Sequence, residues 1–337
     1  MARAVARRVR VRALGLISGG LDSALAAKLL LEQGIEVIGL HLESPTACRS
    51  DVREVAAELG IELEVRAKGE EYLKLLRHPR WGYGKNMNPC IDCRHFMFRI
   101  GAAVLEELNA QFLFTGEVLG QRPMSQTRSA MQLIDREAGL IDRIVRPLSA
   151  LHLDPTLAER EGWIDRARLL GIKGRGRHEQ LALAERFGLT AHQSPGGGCL
   201  LTDPHFSGKL RDLFEHVPED ASSMDDLALL RIGRHVRVRS DLKIVLGRDR
   251  AENTALAGFE NAARWRVEPD GFGGPTALVC GARNDANAHL AARLITTHAT
   301  RVPAGAFVRW GEGARLALDD LEPVGEGTPD VLLGALR

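Results

Sequence analysis

One segment constrains this chain more than any other: "LISGGLDSALAAKLLLEQG", residues 16–34. An apolar run enters two glycines, and a helix-like run leaves them. A strand that ends in a glycine turn and opens a helix forms an anion site. Backbone N–H groups and the helix dipole both face that turn. Gly19 and Gly20 allow close backbone approach, and Ser18 and Ser23 add hydroxyl donors. Asp22 repels phosphate, so it suits a magnesium ion or a cap on its own helix. No G-x-x-x-x-G-K-[ST] is present, so the lysine that serves γ-phosphoryl transfer is missing.

The rest of the first half alternates strand and helix. "VRVRALGLI" reads as a strand running into the loop, and Asp22 to Gln33 as a helix that stops at Gly34. "IEVIGLHL" is a second strand. Ser50 or Asp51 caps a short helix that ends at Gly60. "IELEV" is a third strand, Arg94 to Asn109 a helix, "QFLFTG" a fourth strand and "RIVRP" a fifth. Strands separated by such helices predict an α/β fold with a doubly wound parallel sheet. Ligands in such sheets sit at the carboxyl ends of the strands, where the glycine loop and "TGE" at 115–117 both fall.

"SGGLDS" resembles the S-G-G-x-D-S signature of the PP-loop ATP pyrophosphatases, whose fold is adenine nucleotide alpha hydrolase-like. The resemblance implies cleavage of ATP between the α- and β-phosphates, adenylation of a substrate and release of pyrophosphate. "FTGEVLGQRPMSQTRSAMQLID" followed by "RPLSA" resembles the thiamine/tRNA 4-thiouridine synthetases. Together the two matches cover most of residues 13–150. They imply an ATP site of Ser18, Gly19, Gly20, Asp22, Ser23, Thr115, Gly116, Gly120 and Gln121. A bland alternative for Gln121 and Gln126 is that they satisfy loop backbone.

"NMNPCIDCRHF" places Cys90 and Cys93 just before the Arg94 helix. It resembles the N-P-x-x-x-C-N stretch of the bacterial tRNA 2-thiouridylases, with Cys93 at the matching cysteine. Cys199, in "PGGGCLL", resembles their second active cysteine. Three chemistries fit these residues. One cysteine carries a persulfide and another resolves it, with Arg94 favouring the thiolate. Alternatively Cys90, Cys93 and Cys199 hold a [4Fe–4S] cluster. Structural zinc is the third, with His95, His192 or another residue as fourth ligand. Catalytic candidates are thus Cys90, Cys93, Cys199 and Asp22. Cys48 and Cys280 lack a motif and read as small buried apolar residues.

The reaction these resemblances imply is ATP- and Mg2+-dependent thiolation of a tRNA uridine, at the 2- or the 4-position. The sulfur would come from a cysteine desulfurase or from hydrosulfide. A PP-loop ligase or amidotransferase acting on a small molecule is the competing reading. It needs the same loop and no cysteine trio.

The expected domains are 1–193 for ATP binding, a Gly/Pro-rich loop at 194–205, and a smaller α+β domain at 206–337. In the last, "HVRVRSDLKIVLG", "TALVCGA" and "AFVRWG" are strand-like, and Ala286 to His298 is helix-like. This part resembles the RNA-binding domain of the NFACT family. Seven Lys/Arg against two Asp lie between Arg231 and Arg250. Arg234, Arg237 and Arg239 are expected on one solvent face, tracking RNA phosphates. The chain departs from both thiolation families, with no evident ferredoxin-like or THUMP segment and a C-terminal part unlike that of the 2-thiouridylases.

Composition bounds the remainder. Net charge is +1 over 337 residues, so no global field draws the protein to nucleic acid. The arginine-rich start (Arg3, Arg7, Arg8, Arg10 and Arg12) lacks the apolar stretch of a secretory signal. It leads straight into a strand, which also disfavours a transit peptide. No apolar run reaches the ~18 residues of a membrane helix. Five cysteines, an odd number, suit reduced thiols in the cytoplasm better than a disulfide framework.

Overall fold

The computed structural model describes residues 11–47, 51–191, 199–311, 313–319 and 321. The chain divides into two compact units, Met1–Cys199 and Leu200–Arg337. Cys48, His192 and the 194–198 part of the expected Gly/Pro-rich loop lie outside the described residues, as do Arg3, Arg7, Arg8 and Arg10.

The first unit opens with β1 (Arg12–Leu16), α1 (Leu21–Leu31), β2 (Glu36–Glu43), α2 (Val52–Leu59) and β3 (Glu62–Ala67). It continues with α3 (Gly69–Arg77), α4 (Cys90–Glu107), β4 (Phe112–Thr115), α5 (Arg128–Glu137) and β5 (Ile144–Val145). Two further helices, α6 (Leu157–Arg160) and α7 (His178–Phe187), complete it. The strand order is β3-β2-β1-β4-β5, with every pairing parallel. The order reverses direction between β1 and β4, which makes their carboxyl ends the switch point where a ligand crevice opens.

Alternation along the strands builds two cores. Ala13, Phe112 and Phe114 face one side with the apolar residues of α1. Leu14, Leu16, Ile38, Leu40 and Leu113 face the other, against Phe98, Val104 and Leu105 of α4. Helices therefore cover both faces, and the doubly wound α/β expectation holds. Local signals explain the boundaries. Asp51 caps α2 by accepting from the Arg53 and Glu54 N–H groups, and Gly60 ends it in the left-handed region at φ 65°.

One boundary differs in a way that matters. The helix expected from Arg94 begins at Cys90, behind Pro89 at the N-cap, and the Cys93 N–H already bonds to the Pro89 carbonyl. Proline is compatible with a helix start because its missing N–H leaves no intrahelical bond unmade there. Cys90 and Cys93 thus lie within the first turn rather than before it. Helix α3 and its buried Tyr72 were not expected either.

The second unit contains α8 (Pro204–His216), α9 (Met224–Leu229), β6 (Arg234–Arg239), β7 (Leu242–Leu246) and α10 (Arg250–Leu256). Then come β8 (Arg264–Asp270), β9 (Ala277–Cys280), α11 (Asp285–His298), β10 (Phe307–Trp310) and β11 (Ala314–Ala317). Its six strands form one antiparallel sheet in the order β11-β10-β8-β9-β7-β6. Helix α11 packs Ala288, Ala291, Ala292 and Ile295 onto the sheet residues Ile244, Val267 and Val279. None of the described helices is long and apolar enough to cross a membrane.

Candidate active site

The loop after β1 is held by its own hydroxyls. Ser23 Oγ donates to the Gly20 carbonyl at 2.9 Å and accepts from the Ser18 N–H at 3.3 Å. Gly19 sits at φ 75°, a backbone state that glycine enters without steric cost. Gly20 is the N-cap of α1, and among the described residues no side chain caps that end. The first-turn N–H groups therefore remain available to an anion.

The end of β4 closes on this loop. A Cβ on Gly116 would lie 2.4 Å from the Asp22 carbonyl carbon and 2.5 Å from the Ser23 nitrogen. Only glycine lets the two backbones meet there. Gln121 then reaches across, and its Nε2 donates to Asp22 Oδ2 at 3.1 Å. Arg177, just before α7, approaches the same oxygen at 3.7 Å. The other oxygen, Asp22 Oδ1, is buried and has no hydrogen-bond partner among the described residues. A lone carboxylate oxygen beside an anion site is the donor a hard cation takes, so the residues fit a magnesium ion. Gln126 turns out differently from Gln121. Its Oε1 accepts from the Arg122 N–H at 3.0 Å and its backbone carbonyl from the Gly120 N–H, which satisfies the loop.

Beneath the loop lies a buried charge network. Thr115 Oγ1 donates to Glu117 Oε2 at 3.2 Å. Glu117 also meets Arg94 Nε at 3.1 Å and Arg146 Nε at 3.0 Å. Arg146 in turn forks onto Asp135 at 2.7 and 2.9 Å. Burial pushes the Glu117 carboxyl up, but the guanidiniums of Arg94 and Arg146 outweigh it and hold it below the usual carboxylate range. The Arg94 side chain expected at Cys93 is thus committed to Glu117.

Lys68 and Tyr72 make the direct contacts with the sulfur, while Arg94 still draws the thiol down. Lys68 Nζ lies 3.5 Å from Cys93 Sγ, and the Tyr72 hydroxyl lies 3.6 Å from it. Burial raises the Cys93 thiol, yet Lys68, then Tyr72 and Arg94, bring it below the usual range. Cys90 goes the other way, because burial outweighs the pull of Arg122. The Tyr72 phenol is pushed well up by burial and then by the charges of Cys93 and Cys199. Cys199 Sγ lies 3.9 Å from the Thr46 carbonyl. Lys68 and Tyr72 escaped the sequence reading. The one available signal was the position of Lys68, immediately after β3 at the ligand-bearing edge of the sheet.

These pieces line one cavity of about 470 Å³. Its wall includes Ser18, Gly20, Asp22, Ser23, Thr115, Gly116 and Gln121 together with Cys90, Cys93 and Cys199. Gly120 is not in that wall; at φ 78° it supports the turn beneath, with its N–H bonded to the Gln126 carbonyl. Three thiols share the cavity, but among the described residues no three His, Cys, Asp or Glu side chains gather as ligands of one metal. His95 bonds the Glu137 carbonyl at 3.3 Å instead. An ammonium flanks Cys93, an arrangement that draws a thiol toward its thiolate. It fits an activated thiol. Cys280 ends β9 among Leu229, Val245 and Leu278, and burial raises its thiol.

Residues 8–155 match the family model described as the thiamine biosynthesis protein ThiI. Residues 233–303 match the NFACT protein RNA-binding domain. Among curated relatives, the tRNA-specific 2-thiouridylase MnmA of Helicobacter hepaticus is 30% identical, covering 40% of this chain and 46% of its own. A probable tRNA sulfurtransferase of Thermococcus kodakarensis is 28% identical, covering 48% of this chain and 41% of its own. The chain spans less than half the length of these two relatives. A solved 4-thiouridine synthetase–RNA complex with bound ATP aligns at TM-score 0.38 and 21% identity, over 65% of this chain and 52% of that one.

The arginines of the second unit depart from expectation. Arg237 does not face solvent. It forks onto Asp212 of α8 at 2.8 and 2.9 Å and is largely covered. Lys243 joins the same carboxylate at 3.0 Å. Arg239 pairs with Asp241 and with Asn287 of α11. Of the three, only Arg234 is both exposed and without a carboxylate partner among the described residues.

Proposed function

We propose that the protein is an ATP-dependent tRNA thiouridine synthase. The observation that carries this reading is the shared cavity. An anion loop without a lysine stands opposite a thiol that Lys68 and Tyr72 hold toward its thiolate form. A small-molecule ligase requires the first feature and has no use for the second.

The loop N–H groups and Ser18 grip the β- and γ-phosphates, and Gln121 and Thr115 frame the nucleotide. Asp22 would hold the magnesium ion, which supplies charge neutralisation for the departing pyrophosphate. The uracil carbonyl oxygen attacks the α-phosphorus, the α–β bond breaks, and an adenylated base remains. Cys93, loaded with a persulfide by a cysteine desulfurase or another sulfur donor, attacks the activated carbon through its terminal sulfur. AMP leaves with the former carbonyl oxygen. Cys199 then attacks the Cys93 sulfur, which forms a Cys93–Cys199 disulfide and frees the thiocarbonyl. A thiol reductant restores both cysteines. Cys90, whose thiol is held protonated by burial, is outside this cycle.

The test is single substitution. Cys93→Ser and Cys199→Ser each abolish thiouridine formation, while Cys93→Ser retains ATP binding. Full thiolation by both variants would leave only the adenylation half of the reading.

A further inference from the structure

The second unit contains a cavity of about 430 Å³, lined in part by Arg234 and by other residues of the basic run between Arg231 and Arg250. Arg234, Arg248, Arg250 and Arg301 line it against a single carboxylate, that of Asp249. These charges are not equally available. Arg248 is held by Glu252, and Asp249 caps α10 by accepting from the Glu252 N–H at 2.9 Å. Arg234, Arg250 and Arg301 are exposed, and none has a carboxylate partner among the described residues. Three unneutralised guanidiniums thus converge on one concave site.

The wall is built rather than incidental. Asn253 accepts from the Thr276 N–H at 3.0 Å and donates to the Gly274 carbonyl at 3.4 Å, which pins the Gly273–Pro275 segment ahead of β9. A Cβ on Gly247 would lie 2.1 Å from Asn253 Oδ1, so the glycine makes this clamp possible. Apart from the His298 imidazole, no aromatic ring is in the wall. Such a site has nothing on which a base could stack and everything needed to hold an oxyanion.

We infer that Arg234, Arg250 and Arg301 form a sequence-independent grip on the phosphodiester backbone of tRNA. This rests on the proposed tRNA-thiolating function and relocates its RNA contact. Arg237 is spent on a covered ion pair with Asp212, Arg239 is tied to Asp241 and Asn287 at the surface, and the contact falls on this pocket at the other end of β6. Phosphate contacts of this kind set register on the RNA and carry no base information.

The experiment is filter binding of an unmodified tRNA transcript to the full chain across a range of KCl concentrations. The triple variant Arg234→Gln, Arg250→Gln, Arg301→Gln is compared with wild type. Each lost phosphate contact flattens the salt slope by roughly 0.7–0.9, so the triple variant should lose about two units of slope and bind at least about tenfold more weakly. The matching lysine triple should recover most of the binding, because a point charge suffices for phosphate. Arg309→Gln, in β10 outside the pocket, should bind as wild type. Unchanged affinity and slope in the glutamine triple, with wild type binding tRNA, overturns the pocket and leaves the thiolation reading standing. Failure of wild type to bind tRNA at all overturns that reading. Loss of binding to anionic phospholipid vesicles alone, with tRNA binding intact, assigns the pocket to a membrane surface and overturns the inference.

Discussion

Lys68 holds its ammonium 3.5 Å from Cys93 Sγ, bridging the end of β3 and the first turn of α4. The contact separates two cysteines that look equivalent in a C-x-x-C pattern. Cys93 is drawn toward thiolate and Cys90 away from it. Lys68→Met therefore should move the midpoint of the pH–alkylation profile of Cys93 upward and slow its alkylation at neutral pH. The Cys90 profile should stay in place. Peptide-resolved iodoacetamide labelling reads both.

Asp22 combines a carboxylate oxygen tied to Gln121 with one that has no hydrogen-bond partner among the described residues. Asp22→Asn keeps the shape and removes the charge. AMP and pyrophosphate formation should fall by roughly 100-fold, in line with the loss of one stabilising group for transition-state charge. The magnesium concentration for half-maximal rate should rise. An unchanged magnesium profile would assign Asp22 to the loop's structure alone.

Gly116 touches the α1 backbone so closely that any Cβ must displace it. Gly116→Ala should cost roughly 1–3 kcal/mol of stability, as overpacking does, and weaken ATP binding beyond that loss. Thermal melts with and without ATP separate the two effects.

Glu117 stands between Arg94 and Arg146 with its carboxyl held below the usual range. The folded state thus binds fewer protons there than the unfolded chain does. The stabilisation is complete above about pH 4.5 and fades as pH falls through the lower folded value. Glu117→Gln removes that proton linkage, so the variant's stability should decline less steeply in acid. At neutral pH it should be less stable by roughly 3 kcal/mol, because half-buried Arg94 loses its carboxylate and buried Arg146 keeps only Asp135. Urea melts between about pH 2 and 7, a window that brackets the carboxylate range, test both.

The first unit was largely legible because its signals are local. The glycine loop, the Asp51 cap and the Gly60 stop each act within a few residues. The partnership of Gln121 with Asp22 was not legible, since it joins residues 99 apart through a parallel crossover. Lys68 and Tyr72 carry no motif, and their meaning depends on a helix the sequence did not announce. In the second unit, period-two alternation placed Arg237 and Arg239 on a common face. Alternation cannot say what meets that face, and Asp212 of α8 covers Arg237 while Asn287 of α11 bonds Arg239 at the surface. Strand β8 was hidden by its charges and by Pro269, which weakens a strand pattern.

The most direct test is reconstitution under anaerobic conditions with ATP, magnesium, unmodified tRNA, and a cysteine desulfurase with cysteine as sulfur source. Nucleosides are read by mass spectrometry, and the protein by its visible spectrum. The expected result is a colourless enzyme that forms thiouridine, AMP and pyrophosphate, with one extra sulfur on Cys93 before tRNA is added. An iron–sulfur absorption band that rises and falls with activity, or thiouridine formed undiminished by Cys93→Ser, would contradict the account.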